Sequence, residues 1–349
     1  MQSTFGKNLR ITIDGGSHEE SIGVTIEGFK EVPSIDMEAL QRFMDRRALG
    51  RSPYATRRRE PDIPELVSRD PLRFIIRNTD RRSGDYKNVR HTPRPGHADY
   101  TAYVKYHDRI NMAGGGPFSA RMTAPLCIAG GIALQQLARK GIHIGAHIYA
   151  IHGRKDVPFD PLMETLPPLA DPAFPVLDPA AAPAMKQAIE AAMRDRDSVG
   201  GIVEAAAVGL PAGLGGPMYD GVESVLSPIF FGIPAVKGVT FGAGFAAAAM
   251  RGSENNDAFR IQDGQVVTAT NHCGGILGGI TTGMPLLAQI AFKPTPSIAR
   301  EQQSVDLDKL QEVPLVIKGR HDPCVVVRAV PICEAAMAIG LLDLMMEEA

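Results

Sequence analysis

The stretch 122–137 constrains this chain more than any other. It is apolar nearly all round, rich in Ala and Gly, and follows the triplet Gly114-Gly115-Gly116. A helix without a polar face has to be buried, and its small residues let a second helix come close. With 349 residues, the chain can bury such a helix in a full core without disulfide help. Cys127, Cys273, Cys324 and Cys333 form no CxxC pair, and several lie in apolar runs. They read as buried free thiols rather than as a zinc site or a disulfide frame.

Strands and helices interleave around that stretch. Residues 9–13 and 22–26 read as strands either side of the polar turn Asp14-Gly15-Gly16-Ser17-His18-Glu19-Glu20. A helix opens at Ser34-Ile35-Asp36 and runs to about Arg46, with Met37, Leu40 and Phe43 at amphipathic spacing. Residues 72–76 and 200–208 read as strands and 183–194 as a helix. The C-terminal stretch 325–349 reads as a strand followed by a buried helix. Eight prolines fall in 157–183, marking an ordered surface excursion or a boundary between halves. The class is α+β or α/β.

Lys and Arg number 37 and Asp and Glu 39, a net charge of −2, which excludes a generally basic nucleic-acid binder. Any anion site must be a local cluster. Aromatic residues are sparse at 6%, with no Trp, so stacking platforms are poorly supplied. No run of eighteen apolar residues occurs and residues 1–10 carry no apolar signal core, so the expectation is a cytoplasmic protein with no membrane span.

Arg46, Arg47, Arg51, Arg57, Arg58 and Arg59 crowd one loop that also holds Gly50 and Pro53. Guanidiniums bind phosphate and carboxylate bidentately, so this is a polyanion site or else a flexible basic loop. His18, His97 and His321 each sit beside a turn residue and small polar or charged neighbours, where acid–base groups are usually presented, although lone histidines are more often structural. Their spacing disfavours a metal cluster. His143 and His147 are four apart and read as a surface pair on a helix face. Glycine doublets at 274–279 and the set Lys293-Pro294-Thr295-Pro296-Ser297 offer main-chain N–H groups, one cation and two hydroxyls to a phosphate. The glycines are not a GxGxxG after a strand, so a Rossmann site is not indicated.

Taken together, these segments resemble chorismate synthase. The strings are Thr4-Phe5-Gly6-Lys7, Gly15-Gly16-Ser17-His18, Ile76-Arg77-Asn78-Thr79-Asp80, Arg94-Pro95-Gly96-His97-Ala98-Asp99-Tyr100, Asp197-Ser198-Val199-Gly200-Gly201 and Gly252-Ser253-Glu254-Asn255-Asn256-Asp257. To these are added 271–279, 292–298 and Gly319-Arg320-His321-Asp322-Pro323-Cys324. The resemblance implies an α+β fold with helices packed between antiparallel sheets, in one domain over 1–349, assembled as a homotetramer. It also implies conversion of 5-enolpyruvylshikimate 3-phosphate to chorismate by 1,4-anti elimination, with reduced FMN and an external flavin reductant. A non-catalytic FMN-binding paralogue of the same fold is the alternative.

By position, the resemblance makes His18 and His97 acid–base histidines and Asp322 the base acting towards the flavin. It puts Ser17, Arg46, Arg47, Arg94 and Arg121 at the substrate. It puts Ser119, Ala235, Gly278, Lys293, Thr295, Ser297 and Arg320 at the flavin. Neighbouring Arg320 and His321 are expected to keep Asp322 charged. The chain departs from the family at Gly16 and Glu19, at Ala113 and Pro117, at Pro53, and at Arg69-Asp70, where a longer loop is usual. All of these lie in the first 125 residues.

Overall fold

Residues 2–48, 54, 60–79, 91–317 and 321–347 are described by the structure, a computed structural model. The first sheet is antiparallel, in the order β1 (Gln2–Phe5), β2 (Arg10–Gly15), β3 (Ser21–Glu27), β5 (Leu72–Arg77) and β4 (Glu65–Arg69). Its alternation is visible in β5, where Leu72, Phe74 and Ile76 point inwards. The two residues Asp70 and Pro71 close the β4–β5 hairpin, so the shortened loop is simply a tight connection.

Helix α1 (Met37–Arg47) starts where the sequence indicates, with Asp36 Oδ1 accepting from the Ala39 N–H at 2.9 Å. After α2 (Asp99–Tyr106) comes the apolar stretch itself as α3 (Thr123–Ala138), buried on nearly every side. The second antiparallel sheet follows, in the order β10 (Val236–Phe241), β15 (Leu286–Phe292), β8 (Gly201–Val208), β6 (His143–Ile151) and β7 (Arg154–Lys155). Helices α4 (Ala182–Arg194), α5 (Val222–Gly232) and the short α6 (Gly252–Asn255) lie between its strands in sequence. Three minor pairings complete the fold. They are β9 (Ala212–Gly215) with β13 (Ile276–Leu277) and β14 (Ile280–Thr282), β11 (Phe259–Gln262) with β12 (Gln265–Thr268), and β16 (Gln302–Asp306) with β17 (Gln311–Leu315).

The last helix, α7 (Val326–Glu347), packs along α3, and the pair fills the space between the sheets, α3 against β3 and β5 and α7 against β6 and β8. Helices between antiparallel sheets are therefore what the chain forms. Gly130 sets the α3–α7 spacing: a Cβ there would stand 2.2 Å from Ala335 Cβ. Although α7 is long and apolar enough to cross a bilayer, 89% of its apolar window is buried inside the protein, as in a core helix. Its four acidic and basic residues are all paired, Glu347 at the end accepting from Lys7 Nζ at 2.6 Å. Asp343 accepts from the backbone N–H groups of Lys7, Asn8 and Leu9, Glu334 binds Arg46 at 2.6 and 2.7 Å, and Arg328 reaches Asp322.

Two elements differ from what the sequence suggests. Described residues 321–325 form no strand before α7: Cys324-Val325-Val326-Val327 is β-branched enough to suggest one, but Val326 already opens the helix, and burial on every side of that helix overrides the weak preference. His143 and His147 lie on strand β6, not on a helix. His143 is exposed, while His147 is buried between Asp156 (3.1 Å) and Glu204 (3.0 Å). The proline-rich segment is ordered. Its Phe159 packs with Ala206 and Leu287 on the face of the second sheet opposite α7. All four cysteines are free, and burial pushes the thiols of Cys127 and Cys324 up to about 12.

Candidate active site

A cavity of about 900 Å³ opens where β1 and β2, the N-terminal ends of α3 and α7, and the segment following α5 meet. Arg94, Arg121, Arg328, Lys293, His97 and His321 line it, and Asp322 is the acidic residue among the lining. Both helices present N-terminal N–H groups and the positive end of their dipoles to this space, which favours an anion.

Two site loops are braced from behind by the segment 197–201. Ser198 Oγ donates to the Thr295 carbonyl at 2.7 Å, and the Val199 N–H to the Pro323 carbonyl at 2.9 Å. Gly200 has to be glycine because a Cβ would lie 2.3 Å from the Phe292 carbonyl oxygen. The loops carrying Lys293, Thr295 and Ser297, and His321 with Asp322, are thereby tied to one point. Lys293 donates to the Gly96 carbonyl, and burial together with Lys237 pulls its ammonium below the ordinary lysine value.

The glycine triplet separates the two histidines. Gly114 (φ +64°) and Gly115 (φ +94°) are left-handed, which costs glycine little. A Cβ on Gly114 would stand 2.0 Å from His18 Cε1, and one on Gly115 3.3 Å from His97 Nε2. His18 thus sits directly behind the cavity wall, its Nδ1 3.2 Å from Ser17 Oγ. His97 Nδ1 lies 2.7 Å from Asp99 Oδ1, and Arg94 grips the same carboxylate through Nε and Nη2.

Asp62 joins Arg47 and Arg121 in the core, accepting from both guanidiniums. Arg121 also donates to Asn78 Oδ1 at 3.1 Å. Burial pulls the Arg121 guanidinium below its ordinary value, with Asp62 opposing the shift. Its Nη2 is buried and has no hydrogen-bond partner among the described residues. Arg328 Nη1 donates to Asp322 Oδ2 at 2.8 Å, and its Nε to the Arg47 carbonyl.

The residues named from sequence divide accordingly. His97, Arg94, Arg121, Ser119, Ala235, Lys293, Thr295, Ser297 and Asp322 line the cavity, with Ser17 and His18 against its wall. Arg46 and Arg47 do not reach it, because each is turned into the core by a carboxylate, Glu334 and Asp62 respectively. Gly278 lies in the exposed β13–β14 turn, outside the lining. Arg320, Pro53, Gly50 and the remaining loop arginines, Arg51, Arg57, Arg58 and Arg59, fall outside the described residues. Asp322 is paired with Arg328. Sequence reasoning passed over Arg328 and Asp99. A charge inside an apolar helix was the signal for the first, and a carboxylate two residues after His97 for the second.

Such a cavity, with buried cations, histidines on rigid loops and one carboxylate, defines an enzyme for a polyanionic small molecule. The chorismate synthase family model matches residues 9–346. The chain is 45% identical to the chorismate synthase of Pyrococcus abyssi and 44% to that of Thermococcus kodakarensis, in each case over 97% of this chain and 96% of the relative. Against that of Lancefieldella parvula, identity is 42% over 98% and 96%. A crystal structure of a chorismate synthase superposes with a TM-score of 0.73 at 24% identity, covering 98% of this chain and 93% of the other. The chain belongs to the chorismate synthase family.

Proposed function

We propose that this chain eliminates phosphate from 5-enolpyruvylshikimate 3-phosphate to give chorismate, using reduced FMN. The observation carrying this reading is the buried Nη2 of Arg121, which has Glu60 Oε2 at 3.9 Å but no hydrogen bond among the described residues, in a side chain on the wall of a cavity that also presents His97 and Asp322. An unmet buried guanidinium donor is costly, and a substrate with one phosphate and two carboxylates supplies its acceptor.

The remaining wall suits a flavin. Lys293, Thr295 and Ser297 offer a cation and two hydroxyls for a phosphate, and Phe118, Ile229 and Ile233 offer apolar surface for a ring. A volume of about 900 Å³ is near the top of the usual ~300–1,000 Å³ range, as a site holding two molecules requires. When bound, reduced FMN supplies an electron-rich ring that favours loss of phosphate with no net redox change. Arg94, Arg121 and Lys293 neutralise the anionic groups. His18 and His97 hold and deliver protons, one of them to the departing phosphate. Asp322 takes up a proton on its carboxylate, aligned by Arg328.

The reading extends to a single domain over 1–349 that acts as a cytoplasmic homotetramer and receives FMN reduced from outside. Exposed apolar side chains such as Phe245, Phe259 and Ile261 support contacts between copies. A non-catalytic paralogue is disfavoured because His18, His97 and Asp322 all persist around one cavity. An anaerobic assay with chemically reduced FMN, following chorismate absorbance, tests the function. Chorismate should form with one phosphate per turnover, whereas flavin binding with no product would overturn the proposal.

A further inference from the structure

The donors of the loop 94–99 converge on one carboxylate. Asp99 Oδ2 accepts from the Arg94 backbone N–H at 3.0 Å and from Arg94 Nε at 2.6 Å. Oδ1 accepts from Arg94 Nη2 at 2.8 Å and stands 2.7 Å from His97 Nδ1. The side chain is 9% exposed and opens α2, where the helix dipole favours a negative charge. Burial works against its charged form, but hydrogen bonds from Arg94 and His97 outweigh that and hold the carboxyl well below the usual carboxylate range.

An ionised carboxylate only accepts. At 2.7 Å, His97 Nδ1 must therefore carry the hydrogen, because a bare Nδ1 would set two lone pairs against each other. Arg94 Nη2, 3.1 Å from the same nitrogen, is itself a donor and so directs its hydrogen to Oδ1. The neutral ring then has its bare nitrogen at Nε2. On that side stands Gly115, whose missing side chain leaves the space a Cβ would take 3.3 Å from Nε2. The remaining Arg94 nitrogen, Nη1, donates to Ser297 Oγ at 3.1 Å, so the same carboxylate also orients the cation facing the Lys293–Ser297 loop.

We propose that Asp99 is a positioning residue of this active site, which fixes His97 as the Nδ1–H tautomer so that Nε2 is the atom exchanging a proton with bound ligand. The proposal rests on the chorismate synthase reading for its kinetic consequence but not for the tautomer itself. In Asp99→Asn, the amide nitrogen must replace one oxygen. At Oδ2 it would face two fixed Arg94 donors. At Oδ1 it faces one Arg94 donor, Nη2, and His97 Nδ1, and both can adapt: the ring moves its hydrogen to Nε2, and Nη2 then donates to the bared Nδ1 3.1 Å away.

Histidine ¹⁵N chemical shifts of the full chain, with His97 assigned through His97→Gln, should show Nδ1–H and bare Nε2 when the ring is neutral. In Asp99→Asn the hydrogen should move to Nε2. In the anaerobic assay kcat should then fall by about a hundredfold, as loss of an acid–base group typically does, with KM and FMN affinity changed only a few-fold. An Nε2–H tautomer in the wild type would overturn the proposal whether or not the variant folds. So would a switched tautomer with unchanged kcat. A wild type that shows Nδ1–H but makes no chorismate would instead sink the functional reading.

Discussion

Arg328 and Asp322 face each other across the start of α7, Nη1 to Oδ2 at 2.8 Å, and both line the cavity. Burial pulls the Arg328 guanidinium below its ordinary value, and Asp322 opposes that shift. Each ion is the other's compensation for leaving water. Breaking such a pair from one side typically costs ~3–5 kcal/mol. Arg328→Met should lower the unfolding free energy by about that amount, measured from urea midpoints, and Arg328→Lys should lose less. Equal stability of all three would remove the pair from the account.

Gly114 is the spacer for His18. Alanine there must adopt a left-handed backbone and push a Cβ into the imidazole, 2.0 Å away in the present geometry. A forced non-glycine residue at such a position costs ~1–3 kcal/mol. Gly114→Ala should cut kcat at least tenfold in the folded enzyme, a loss on the order of the smallest that displacing an acid–base group causes. Gly115→Ala, with more room beside His97, should lose less. The comparison of the two kcat values is the check.

The α3–α7 contact predicts a stability effect far from the chemistry. Gly130→Ala places a methyl 2.2 Å from Ala335 Cβ, and overpacking of this kind typically costs ~1–3 kcal/mol. Adding Ala335→Gly should return part of that loss. Thermal melts of the two single variants and the double variant measure the coupling, and strict additivity would contradict the packing described.

Much of this was legible in sequence, because burial and backbone chemistry leave local marks. The all-apolar 122–137 had nowhere to be but inside, Asp36 announced a helix start, and His97 and Asp322 stood in strings that resemble a known family. Pairings across the fold left no such mark. Nothing near Arg47 in sequence says that Asp62 will capture it, nor that Glu334, 288 residues on, will hold Arg46. His147 shows the same limit, since its partners Asp156 and Glu204 arrive from a loop and another strand.

Acid stability should report Asp99. Its carboxyl is lowered on folding, so its contribution is complete above the unfolded value of ~3.9 and fades as pH falls through the folded value. Asp257, lowered by hydrogen bonds from Cys273, Thr270 and His272 against the cost of burial, adds in the same direction. Asp99→Asn should therefore flatten the fall of the unfolding free energy below about pH 4. A pH profile parallel to the wild type would contradict that assignment.

The most direct test is Asp322→Asn in the anaerobic assay with reduced FMN, with flavin and substrate affinities measured on the same preparation. Asparagine keeps the size and most hydrogen bonding with Arg328 while removing the proton acceptor. The account predicts a loss of about a hundredfold or more in kcat, the range general-base removal typically costs, with both affinities little changed. Wild-type turnover, or loss of FMN binding with normal turnover of the enzyme that still binds it, would contradict the catalytic role of Asp322.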